Sequence, residues 1–110
     1  PEGGAVAEAH TEQARLAAEA GLPPGALVLD VGSLTRDAGA APLRLISALS
    51  DAGAVVAAGL GDSAQAGEHG VAALSLAASI GARVLRVPVD AVARARRVAD
   101  VIGAVVGARR

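Results

Sequence analysis

The chain has 110 residues, a formal net charge of −1 and 53% hydrophobic residues, enough for one compact domain but for less than half of an eight-unit α/β barrel. It contains no Cys, Met, Phe, Trp, Tyr, Lys or Asn, which excludes disulfides, Cys-ligated metal clusters, thiolate nucleophiles, Schiff-base or Walker-type lysines and aromatic platforms for nucleobases. A pI near 6.1 argues against a dominant electrostatic attraction to nucleic acid or to a membrane surface.

The first predicted element is a helix over Ala5–Ala20. Val6, Ala9, Ala14, Ala17 and Ala18 fall near one face, and Glu8, Glu12 and Arg15 lie around the other. A glycine then opens a short apolar run, Gly25-Ala26-Leu27-Val28-Leu29. The pattern returns at Gly53-Ala54-Val55-Val56-Ala57 and at Gly81-Ala82-Arg83-Val84-Leu85, 28 residues apart each time. Glycine suits a left-handed cap at a helix C-terminus. A run apolar on both faces suits a parallel strand covered on both sides. Between the runs lie Pro42–Ala52, with Leu43, Leu45, Ile46 and Leu49, and Gly70–Ile80, so apolar that burial on most sides is expected. A last helix over Ala91–Val106 carries Val92, Val98, Val101, Ile102 and Val105. The predicted fold is α/β, parallel βα repeats in the order α-β-α-β-α-β-α, in a single domain over residues 1–110 with right-handed crossovers.

The longest apolar stretches, Ala54–Leu60 and Val71–Ile80, fall well short of the ~20 residues a spanning helix needs. No charged leader with an apolar core precedes them, so cytoplasmic residence is the expectation. The first residue is Pro1 rather than Met, which points to a processed chain or a piece of a longer one. Three parallel strands leave free edges. They can close into a small sandwich, form the last part of a barrel, or complete a sheet with another copy. Alanine-rich helices bury little area each, so association or an upstream half is expected ahead of a solitary monomer.

Few residues carry chemistry. Asp30, at the end of the first apolar run, either hydrogen-bonds the N–H groups of a ligand or caps local backbone N–H groups. Arg86 sits inside an apolar strand, where an unpaired guanidinium is costly. It either pairs with Asp30 or Asp90, or awaits an anion. Gly59-Leu60-Gly61-Asp62-Ser63 ends a strand and is either a structural loop or a set of backbone donors for a phosphate. His10 and His69 have no second His or Cys at ligand spacing, and Ser33, Ser63 and Ser75 have no elbow or paired base. Arg94, Arg96, Arg97, Arg109 and Arg110 look basic, but Arg96 with Asp100 reads as an i,i+4 pair on a solvated face.

Several of these segments together resemble a known family. Ala17-Ala18-Glu19-Ala20-Gly21-Leu22-Pro23-Pro24-Gly25-Ala26-Leu27-Val28-Leu29-Asp30-Val31-Gly32 is similar to the segment of dihydropteroate synthases that ends in a strand reading L-D-P-G. Ala54-Val55-Val56-Ala57-Ala58-Gly59-Leu60-Gly61-Asp62-Ser63 is similar to their V-L-V-G-x-S-R-K strand and loop. Gly81-Ala82-Arg83-Val84-Leu85-Arg86-Val87-Pro88-Val89-Asp90 resembles the last barrel strand, G-A-x-x-x-R-V-H-D-V. The resemblance covers nearly the whole chain, as the C-terminal three βα units of a TIM barrel. An offset match also exists, since Asp30–Arg36 resembles the family's earlier D-x-G-x-x-S-T-R-P loop; the last strand fixes the register.

The resemblance implies a pterin-binding site at the C-terminal mouth of the barrel, where the family joins a dihydropterin pyrophosphate to p-aminobenzoate with Mg²⁺. Asp30 stands where the family's Asp holds the pterin, and Arg86 where its Arg binds pyrophosphate-like oxygens. Gly59, Gly61 and Ser63 fall in the loop beside the ligand. The departures are several: no lysine follows Ser63, Pro88 replaces the His, and Ser33-Leu34-Thr35-Arg36-Asp37 replaces the glycine-rich loop. The expectation is a non-catalytic or degenerate dihydropteroate synthase-like domain binding a pterin or phosphate-bearing small molecule through Asp30, Arg86, Gly59, Gly61 and Ser63. The alternatives are the C-terminal portion of an active transferase of folate biosynthesis and a structural, partner-binding module. Mg²⁺ is expected only with the family's activity; neither a nucleic-acid nor a membrane partner is expected.

Overall fold

A computed structural model of the chain describes residues 2–35, 38–61 and 68–107. The strands are β1 (Val28–Ser33), β2 (Val55–Gly59) and β3 (Ala82–Arg86), and the helices are α1 (Glu2–Glu19), α2 (Ala41–Asp51), α3 (Glu68–Ser79) and α4 (Val92–Val105). Short 3₁₀ turns at Pro24–Ala26 and Val89–Ala91 lead into β1 and α4. The sheet is parallel in the order β1-β2-β3, so the structure has the α-β-α-β-α-β-α order of parallel βα repeats that the sequence predicts.

Glycine punctuation works as expected at two of the three repeats. Gly53 and Gly81 hold φ of +94° and +131°, a conformation that costs a residue with a Cβ. At the first repeat the role falls to Gly21 (φ +94°) and not to Gly25, which lies in the 3₁₀ turn. Gly21 N–H donates to Ala18 and Leu22 N–H to Ala17, the paired bonds that close a Schellman cap. Pro23, held extended, and the 3₁₀ turn that begins at Pro24 then lie between the cap and β1, which displaces the strand from its glycine.

Helices cover one face of the sheet. α2 packs on β1 and β2 and α3 on β3, while α1 lies against α2 and α4 against α3. Leu29, Val56, Ala58 and Ala82 point into this layer and share one core with Leu45, Ile46, Leu49, Leu74, Ala77 and Ala95. The opposite face carries the register row Asp30–Ala57–Val84 and, at the far end of β2, the pair Gly59–Arg86. The expectation of strands covered on both sides is thus met on one side only. Val84, 41% exposed, and Val28, 46% exposed, remain in contact with solvent. α3 also differs from expectation: it buries Gly70, Leu74 and Ala77, but Leu76 is 52% exposed. Its outer face meets water because no second layer lies over the helices among the described residues.

The strand ends are sealed by two leucines. Leu34 N–H donates to the Gly59 carbonyl at 2.7 Å, and Leu60 N–H donates to the Arg86 carbonyl at 2.9 Å. Each bond carries the ladder one step past its strand and turns a leucine, 4% exposed, into the core. No helix among the described residues is long and apolar enough to cross a membrane.

Candidate functional site

Asp30 and Arg86 meet. β1 runs three residues beyond Asp30, so Asp30 sits within the strand and not at its end, two register rows below Arg86. Arg86 therefore leans diagonally back across β2. Its Nε donates to Asp30 Oδ2 at 2.7 Å and its Nη2 to Oδ1 at 3.0 Å, a two-pronged ion pair.

The path between them is open because Gly59 has no side chain. A Cβ there would stand 2.7 Å from the Arg86 carbonyl oxygen, 2.9 Å from its Cβ and 3.1 Å from its Cζ. Gly59 thus lets the β3 backbone at Arg86, and with it the guanidinium, lie close against the middle strand. Gly61 is exposed at the start of the following loop. Ser63 lies outside the described residues.

Asp30 gathers more than Arg86. Gly32 N–H donates to its Oδ1 at 2.7 Å, so the carboxylate also makes the local backbone cap that was the alternative to holding a ligand's N–H groups. On the main chain, the Asp30 carbonyl accepts a bond from His10 Nε2 on α1 at 3.2 Å. A carbonyl only accepts, so Nε2 carries the proton in this contact. The Arg86 hydrogen bonds hold the Asp30 carboxyl below the ordinary carboxylate range, with the Gly32 N–H and the charges of Arg86 and His10 acting in the same direction against partial burial. The same bonds push Arg86 further into its charged form. Nothing in the sequence signalled His10, whose partner is a backbone atom twenty residues away.

The pair is not sequestered. Its side chains are 48% (Arg86) and 42% (Asp30) exposed, on the uncovered face near the C-terminal ends of the strands. Of the five N–H donors of a guanidinium, two are taken by Asp30, and the others have no partner among the described residues. The arrangement can offer donors to a phosphate or carboxylate while presenting a carboxylate oxygen beside them. Elsewhere Arg96 pairs with Asp100 at 3.2 Å on the exposed face of α4, as its spacing predicts, and Arg15 joins Glu12 and Glu19 on α1. Among the described residues no group of three or more His, Cys, Asp or Glu could hold a metal ion. With Asp30 the single carboxylate of the pair, the described residues do not form a protein-held Mg²⁺ site. No family model matches the chain, and no curated protein or solved structure matches it.

Proposed function

We propose that the chain is a non-catalytic, dihydropteroate synthase-like module that binds a pterin or phosphate-bearing small molecule at the Asp30–Arg86 pair. The supporting observation is that the two residues, drawn from strands one and three, converge half-exposed on one face with guanidinium donors to spare. In parallel α/β sheets this end of the strands is where ligands bind. A ligand presenting paired N–H donors would compete for the Asp30 oxygens and free the guanidinium for its phosphate. Binding is then an exchange of partners on a preassembled pair.

Catalysis is not part of the proposal. Departure of pyrophosphate needs positioned cations, and loss of one such group typically costs a few kcal/mol of barrier. This chain has no lysine, and Pro88 stands at the position of the family's histidine. Chain supplied with dihydropterin pyrophosphate, p-aminobenzoate and Mg²⁺ should form no dihydropteroate above background, and turnover within about a hundredfold of ordinary enzymes (some 10 s⁻¹) would refute the proposal.

The ligand test is thermal unfolding with dihydropterin pyrophosphate, inorganic pyrophosphate or a free pterin at millimolar concentration. The expected result is a rise in midpoint with at least the first compound, lost in Asp30→Asn and in Arg86→Leu. No stabilisation by any of the three would end the ligand reading. A structural role would then remain, which the mutual pairing of Asp30 and Arg86 already favours as the second reading. The uncovered sheet face supports association with another copy or with an upstream barrel half. Light scattering should report at least twice 10.6 kDa for a self-associating chain.

A further inference from the structure

β3 is the last strand of the sheet, and among the described residues it pairs on its β2 side alone. β3 borders a groove of about 640 Å³. The groove exists because α4 packs on α3 and stands away from β3. Residues from both faces of the strand border it, with Ala82 and Leu85 from the core side and Arg83 and Arg86 from the other. Ala99 and Ile102 of α4 supply the opposite wall. The lining is apolar, its charged members are Arg83, Arg86 and Arg96, and it includes no acidic side chain.

Two of those arginines have carboxylate partners, Asp30 and Asp100. Arg83 has none among the described residues, and it is exposed where the β2–β3 register slips. An unpaired backbone edge asks for a strand, an apolar wall asks for aliphatic side chains, and an unpartnered guanidinium asks for a carboxylate. We propose that an extended polypeptide segment, aliphatic and acidic in alternation, adds to the free edge of β3 beneath α4 as a fourth strand.

The β1 strand of a second copy, Val28–Ser33, would bring one acidic residue, Asp30, whose carboxylate Arg86 already holds. The occupant is a separate segment that carries its own carboxylates. The groove shares Arg86 with the proposed ligand site, and Arg83, which takes no part in the Asp30–Arg86 pair, distinguishes the two.

The test uses a capped, fluorescein-labelled octapeptide of alternating valine and glutamate, titrated into the full chain by anisotropy. Saturable binding is expected, weakened about tenfold or more by Arg83→Glu, as loss of roughly 1.4 kcal/mol requires. Backbone N-methylation of the peptide at alternate residues should abolish binding, and amide exchange within β3 should slow in the complex. Arg83→Glu should leave stabilisation by dihydropterin pyrophosphate unchanged, which separates failure here from failure of the ligand site. Equal binding of the N-methylated peptide would mean that the groove takes an amphiphilic acid, and the proposal falls. So it does if the unmodified peptide fails to bind, or if Arg83→Val binds it as well while aggregating, since Arg83 would then be guarding the edge.

Discussion

Arg86 reaches Asp30 over Gly59, so three strands contribute one residue each to a single contact. The guanidinium bonds both carboxylate oxygens, at 2.7 and 3.0 Å. The contact joins the two outer strands of the sheet directly, and through the Asp30 carbonyl and His10 it also holds α1. Its energetic weight is set by exposure. With both side chains more than a third exposed, water screens the pair and competes for it.

Arg86→Leu should therefore cost only about 1 kcal/mol, and not the several expected of a buried pair. Asp30→Asn should cost a similar amount. In a double-mutant cycle measured by urea unfolding, the coupling should be about 0.5–1 kcal/mol. A coupling near zero would mean that the two side chains do not hold each other in solution.

Gly59→Ala tests the passage between them. The added methyl would meet the Arg86 carbonyl oxygen at 2.7 Å, and backbone cannot swing aside as a side chain can. The variant should lose about 1–3 kcal/mol by overpacking. Combining it with Arg86→Ala removes the Cζ conflict but leaves the carbonyl and Cβ in place, so recovery should be partial. Full recovery would show that the guanidinium, and not the β3 backbone, sets the need for glycine.

The repeat was legible because its signals are local. Gly53 and Gly81 each precede a β-branched run, and both turn out to hold positive φ. Gly25 misled because Pro23 and Pro24 inserted an extra turn, leaving the cap to Gly21. One-sided coverage was not legible at all. Ala57 and Gly59 are small enough to be buried without anything packed on them, and in a sequence they read as core on either face. Arg86 had two acidic candidates, Asp30 and Asp90, and only the register decides for Asp30. That Gly59 lies against Arg86 follows from three strands placed side by side, which no spacing along one of them encodes.

Acid should reveal the same pair. Asp30 titrates lower in the folded chain than in the unfolded chain, chiefly because Arg86 bonds its ionised form. Its contribution is therefore complete above the unfolded value, about pH 4, and is lost as pH falls through the lower folded value. Between about pH 4 and pH 2 the wild-type stability should fall more steeply than that of Asp30→Asn. Parallel curves over that window, from urea unfolding at each pH, would show that Asp30 is not bonded in its ionised form.

The turn from α3 into β3, where Gly81 meets Ser50 of α2, offers a sharper case, since two separate costs act at one residue. Gly81 holds φ +131°, and a Cβ there would lie 2.3 Å from Ser50 Oγ and 2.5 Å from Ser50 Cβ. Gly81→Ala should destabilise by about 1–3 kcal/mol, part from the backbone conformation and part from the clash. Ser50→Ala removes the hydroxyl but keeps the Cβ, so pairing it with Gly81→Ala should recover little. Ser50→Gly removes both atoms at about 0.5–1 kcal/mol of helix propensity. The Gly81→Ala, Ser50→Gly double variant should be more stable than additivity predicts, yet still below wild type by the cost of the strained φ. Strict additivity would place the whole penalty in the backbone, and α2 would then not constrain the entry to β3 through Ser50.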